Sequence, residues 1–199
     1  MSIFEPSKLL IQTELEHEAI PKVELFNKRL HSRKLEAWCA AKFGVGYCNH
    51  VEKCLIEIEE IDEQREYDFK LHVNSRIELI QLVEVMDSGR KRGLEYKQEG
   101  PEQISAKLLE GDGYTSSYGL TRIRDVLGKK VEKHYADSKG LIVLLYLNMM
   151  AMQVEHEVLK ENLLDLTDNF KEVWLISGKH IGCLSGHEFK SDGFKLIGI

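Results

Sequence analysis

The sequence predicts an α/β (α+β) fold in which a mixed central sheet begins with a β-meander and is flanked by helices. Three observations carry that expectation. Two neighbouring runs, Tyr67 to Val73 and Arg76 to Met86, alternate apolar and polar residues across a short Asn74-Ser75 break, the pattern of paired antiparallel strands. A later run, Gly140 to Asn148, is apolar on both faces and starts at a glycine, as suits a central strand covered from two sides. Stretches of helical spacing precede the meander and then alternate with strands, which implies crossover connections in a mixed sheet.

Taken in order, Ser7 to His17 and Lys22 to Phe43 read as helices, with Pro21 at a first-turn position and Gly44 and Gly46 just past the second helix. The second helix turns Val23, Phe26, Leu30, Leu35, Trp38, Cys39 and Ala41 inward. Val51 to Ile61 sets Leu55, Glu57 and Glu59 against Cys54, Ile56 and Ile58, the signature of a strand with one wet face. Asn74 tolerates the left-handed geometry of a tight turn, and Ser75 can hydrogen-bond locally. After a loop from Asp87 to Pro101, a short helix is expected near Glu102 to Leu109, and Gly111, Gly113 and Gly119 mark a mobile connection.

Leu120 to Tyr135 is the next helix, burying Leu120, Ile123, Val126, Leu127, Val131 and Tyr135. Gly128 in its middle costs about 1 kcal/mol relative to Ala and suggests a close packing contact. His156 to Phe170 supplies a further helix with Val158, Leu159, Leu163, Leu164 and Leu166 inward. The strand EVWLIS and a short final one at Ile181 to Leu184 complete the sheet.

With 199 residues, 43% of them hydrophobic and 30% charged, the chain suits one globular domain, with N-terminal helices over 7–43 and a sheet-containing core over 51–199. A net charge of -6 does not mark a nucleic-acid binder, so any contact with phosphate needs a local basic surface. The longest apolar run, Leu141 to Leu147, falls far short of the roughly 20 residues that span a bilayer, which predicts a cytoplasmic protein with no membrane partner. Cys39, Cys48, Cys54 and Cys183 form no CxxC pair and no zinc spacing, so reduced thiols, mostly in the core, are expected. There is no HExxH, P-loop, GxGxxG or GxSxG, which argues against a His-based metal centre, a nucleotide kinase, a Rossmann dehydrogenase and an α/β-hydrolase.

Chemistry concentrates between Glu66 and Lys97. Asp68 sits between Tyr67 and Phe69, and Glu84 between Val83 and Val85, so both are acids inside apolar strand sequence. Facing positions on adjacent strands lie within about 5 Å, close enough for two carboxylates to share Mg²⁺ (or Mn²⁺) with water completing the shell. Such an ion lowers the pKa of a bound water and stabilises charge on a phosphate. The plain alternative is that both acids lie on the solvated face of a meander. Glu78 shares the strand face of Glu84, whereas Gln81 falls opposite, so a bulge is needed to unite them. Which of Glu78, Gln81 and Glu84 faces the site stays open. Past the strand end, Arg90 and Arg92 in SGRKRGLEYK, extended by Lys130, offer a basic surface for a phosphate backbone.

The order YDFKLHVN, IELIQLVEVMD, KHYADSKGLIVLLYLN and VWLIS resembles that of the restriction-endonuclease-like, PD-(D/E)XK nuclease superfamily. The resemblance implies a restriction-endonuclease-like sheet in which a helical acid, a strand Asp and an acid-x-Lys element bind Mg²⁺ for phosphodiester hydrolysis. Asp68 matches the strand Asp and Glu36 the helical acid. The resemblance is to a divergent member, because Glu78 is followed two residues on by Ile80 and Glu84 by Met86, which leaves Gln81 to stand for the Lys; a competing register uses Asp68-Phe69-Lys70. The function so implied is a Mg-dependent nuclease acting on DNA or RNA, with Asp68, Glu84, Gln81 and Glu36 catalytic. The alternative is a catalytically inactive binding or regulatory protein on the same fold. A homodimer through the N-terminal helices, where Leu9, Leu10 and Ile11 need cover, is a further expectation.

Overall fold

The layering is set by the period-two alternation of one strand. Leu141–Asn148 sends Ile142 and Leu144 into one core and Val143, Leu145 and Leu147 into the other, and all five are buried. In this computed structural model, residues 2–25, 32–58, 66–90, 116–133, 135–149, 154–186 and 193–198 are described.

The elements in chain order are β1 (Ser2–Phe4), α1 (Pro6–Ala19), α2 (Lys22–Leu25), α3 (Ser32–His50), β2 (Leu55–Ile58), β3 (Phe69–Val73) and β4 (Arg76–Met86). There follow α4 (Ser116–Val131), a 3-10 turn at Ser138–Gly140, β5 (Leu141–Asn148), α5 (His156–Asn162), α6 (Leu164–Thr167), β6 (Glu172–Ser177), β7 (His180–Ser185) and β8 (Lys195–Leu196). The eight strands form one mixed sheet in sequence order. The first four pair antiparallel, β4, β5 and β6 run parallel, and β7 and β8 return antiparallel. The fold is therefore mixed α+β, with a meander first and crossovers later, as the order of sequence patterns predicts.

One core packs Leu9 and Leu10 of α1 and Phe43 and Tyr47 of α3 on Ile56, Phe69, Leu71, Ile80, Trp174 and Ile176 of the sheet. The other packs Ile123 and Leu127 of α4 with Leu159 and Leu163 on Val83, Val85, Val173 and Leu175. Burial of Leu9 and Leu10 inside the chain removes the need for a second copy to cover them; Ile11 is exposed, as single apolar residues on a surface often are. Among the described residues no helix is long and apolar enough to cross a membrane.

Several expectations change. Gly44 and Gly46 do not end their helix, because α3 continues through them to His50. A Cβ on Gly44 would lie 2.6 Å from Ile56 Cδ1, and one on Gly46 2.8 Å from Ile181 Cδ1, so the glycines let the helix lie against the sheet. Gly128 has nothing within 4 Å and makes no such close contact. The strand expected from Val51 starts at Leu55, and its wet face is dry at Glu57, which is buried and paired with Lys70 (2.7 Å) and His72 (2.6 Å). The helix at 156–170 divides at Leu163, and Leu164 is exposed rather than inward. Tyr135 lies past the end of α4 but packs edge-on against Phe170. Edge strands β1 and β8 are additions. The expected turn holds, with Asn74 at φ 53. Phe26, Leu30, Glu59, the helix near 102–109 and the loop glycines 111 and 113 lie outside the described residues.

Candidate functional site

Strand β3 stops short of β4, and that mismatch creates the site. Their pairing ends at Phe69 opposite Ile80, while β4 continues to Met86. The Leu82 N–H therefore has no strand partner on that side, and Asp68, one residue outside β3, supplies the acceptor: Leu82 N–H donates to Asp68 Oδ2 at 2.7 Å. Gln81 Nε2 donates to the same oxygen. Among the described residues both side-chain hydrogen bonds of Asp68 fall on Oδ2.

Asp68 lines a cleft of about 220 Å³ together with Leu82 and Glu84 of β4, Tyr146 of β5, and Ser32, Leu35, Glu36 and Cys39 of α3. The four helix residues recur at three- and four-residue steps and so form a single stripe. Glu84 and Tyr146 are partners in the β4–β5 register, and Asn148 Nδ2 steadies Glu84 Oε1 at 2.7 Å. Tyr146 is held edge-on by Trp38, with ring centroids 5.7 Å apart.

Burial pushes the Asp68 carboxyl above its ordinary value, opposed by the Leu82 N–H, the Lys130 ammonium, Gln81 and Lys133. The Lys130 ammonium moves the other way. Burial lowers its pKa, helped by like charge on Lys133 and opposed by Asp68.

The structure thus gathers Asp68, Glu84 and Glu36, and adds Gln81 without a bulge in β4. Gln81 does lie on the opposite strand face, where Tyr135 Oη donates to its Oε1 at 3.5 Å, but its amide reaches round the open edge of β4. Glu78 is elsewhere, buried and paired with Lys171 at 2.5 Å. The Arg90 side chain is only 7% exposed and donates to the Asn148 carbonyl at 2.9 Å. Lys130 is half-buried, and its ammonium acts on the Asp68 carboxyl. Arg92 lies outside the described residues. Sequence reasoning missed Ser32, Tyr146 and Asn148; Tyr146 left a signal as the polar-tipped residue in an otherwise apolar strand.

The donors are hard oxygens of the kind Mg²⁺ accepts. Among the described residues, however, no three His, Cys, Asp or Glu side chains form a group able to hold a metal ion.

No known family profile matches the chain, and no curated protein matches it. Among solved structures it is similar to a protein of unknown function from Pseudomonas aeruginosa strain PAO1 described as monooxygenase superfamily. The identity is 14%, the coverage 94% of this chain and 87% of that one, and the TM-score 0.48. The comparisons correct the nuclease expectation. The matched structure is not described as a restriction-endonuclease-like protein, and neither the PD-(D/E)XK assignment nor its inactive alternative finds support. β4 carries no acid-x-Lys element, and of the described part of the basic turn Ser88 and Gly89 are exposed while the Arg90 side chain is held on the Asn148 carbonyl.

Proposed function

We propose that the cleft between α3 and the β3–β5 face is an acid–base site for a small molecule bearing a primary amine. The observation that supports this reading is the mixed lining, in which Glu36, Asp68 and Glu84 converge from three parts of the chain beside Leu35, Leu82 and Tyr146. An ammonium group satisfies carboxylates through charge-assisted hydrogen bonds, and a short alkyl stem gains by covering the apolar walls. The Tyr146 ring adds a face that attracts a cation. A hydrated Mg²⁺ would use the oxygens alone and gain nothing from Leu35 or Leu82. The Asp68 carboxyl, whose protonated form burial favours, is the group in this cleft suited to exchange a proton with the bound ammonium.

The test is calorimetric titration with butylamine and diaminobutane, and in parallel with MgCl₂ and MnCl₂. Saturable amine binding is expected, weakened roughly tenfold by Glu84→Gln, the loss of one charge-assisted contact worth about 1.5 kcal/mol. Binding of Mg²⁺ or Mn²⁺ with no response to amines, or amine binding unchanged in Glu84→Gln and Asp68→Asn, refutes the reading.

A further inference from the structure

A second and larger cleft, about 620 Å³, opens where α3 ends, and it is lined by Cys48 and Cys54 together with Glu5, Lys53, His72 and Asn74. Five residues separate the two cysteines in sequence, but the end of α3 and the turn into β2 bring their Sγ atoms to 3.2 Å. The Cys54 backbone N–H also donates to Cys48 Sγ at 3.3 Å. We propose that Cys48 and Cys54 form a redox-active dithiol that reacts with low-molecular-weight disulfides entering this cleft.

The frame around the pair is tied down. Val51 and Glu52 N–H both donate to the Tyr47 carbonyl, and Asn49 and His50 hold the Ile197 and Leu196 carbonyls at 2.6 and 2.7 Å. Bond formation at about 2.05 Å therefore asks for roughly 1 Å of sulfur movement, within reach of side-chain rotation. The division of labour follows from the contacts. The Cys54 thiol and backbone N–H stabilise charge on Cys48 and draw its pKa down to about 6, against burial and Glu5 and with help from Lys53. Cys54 moves the opposite way, raised by its hydrogen bond to Cys48 and by burial. Cys48, the half-buried and so more accessible thiol of the pair, is the attacking one, and the buried Cys54 is the resolving thiol.

The exchange balances. The Cys48 thiolate attacks one sulfur of RSSR, the S–S bond breaks, and RS⁻ leaves and takes up a proton; Cys48 is now a mixed disulfide. Cys54 loses its proton and attacks Cys48 Sγ, and the second R group leaves as a thiol. In sum the protein dithiol is oxidised and RSSR is reduced to two RSH.

Wild-type protein is exposed to glutathione disulfide, denatured, alkylated and mapped by mass spectrometry. A Cys48–Cys54 disulfide is expected, with alkylation of that pair reduced by about tenfold or more and Cys183, whose thiol burial pushes up to about 12, still labelled. Cys54→Ser should stop at the Cys48 mixed disulfide, and Cys48→Ser should take no adduct, each variant being checked for a cooperative thermal transition. Full alkylation of Cys48 and Cys54 in the treated wild type overturns the proposal, as does an unresolved adduct. Oxidation by hydrogen peroxide with glutathione disulfide inert overturns the assignment to disulfide exchange.

Discussion

The same substitution, glycine to alanine inside a helix, should change stability with opposite sign at two positions of this chain. At Gly128 in α4 an added Cβ meets nothing within 4 Å, so Gly128→Ala collects the full helix-propensity gain of about 1 kcal/mol. At Gly44 in α3 that gain is opposed by contacts at 2.6 Å to Ile56 Cδ1 and 3.0 Å to Pro6 Cβ and Cγ. Overpacking of a tight core costs about 1–3 kcal/mol, which leaves Gly44→Ala destabilised by about 1 kcal/mol net. The two variants should therefore differ by about 2 kcal/mol, or roughly 4–8 °C in melting temperature for a chain of this size. Thermal and urea unfolding of both variants measures this. Ile56→Val removes the nearest clashing atom, so the Gly44→Ala, Ile56→Val pair should be less destabilised than the sum of its parts. A Gly44→Ala protein as stabilised as Gly128→Ala would refute the seating of α3 on β2, and with it the placement of Glu36 and Cys48.

Three further outcomes are expected. Glu57→Gln strands Lys70 and His72, whose side chains are 20% and 23% exposed, so water relieves part of the loss and the cost is about 1–3 kcal/mol by urea denaturation. The Lys70 ammonium and His72 hold the Glu57 carboxyl below its ordinary 4.5, so its contribution is present above that value and lost as pH falls through the folded one; the variant should show a shallower acid limb. Asp68→Asn keeps an acceptor for the Leu82 N–H while removing a buried charge, so it should hold or gain stability at neutral pH yet lose amine binding. Because burial raises the Asp68 pKa, the folded state binds that proton more tightly, and the advantage of Asn over Asp should shrink as pH falls through the raised value. Alkylation of Cys48, followed by iodoacetamide kinetics, should rise with a midpoint near pH 6, set by Cys54, Glu5 and Lys53 with His72 facing the same cleft. A midpoint near the ordinary 9.0 counts against the thiolate.

Much of the sheet was legible because strand alternation is a local property. β3, β4, β5 and β6 follow from runs whose residues alternate or stay apolar over six or more positions, whereas β1 and β8, with three and two residues, carry too little pattern to read. Asp68, Glu84 and Glu36 could be singled out as acids among apolar neighbours, and they do share a cleft. The activity attached to them did not survive comparison with known proteins, because a short acidic motif on a mixed sheet is compatible with many chemistries. Strand parity put Gln81 on the right face but could not show that its amide reaches Asp68, because β4 runs on beyond the end of β3.

The linear order of apolar and polar residues determined the strands β3 to β6, the mixed character of the sheet and the helices that flank it, since burial acts on each strand face separately. Tertiary structure decided what those elements bring together. Glycines that look like helix ends became contact points once α3 met Ile56 and Ile181, and the open edge of β4 turned Asp68 inward to satisfy a backbone N–H. Two cysteines without any recognisable spacing became neighbours at 3.2 Å because a helix end and a strand start fold onto each other. Such proximities depend on distances between elements, which no local pattern of residues encodes.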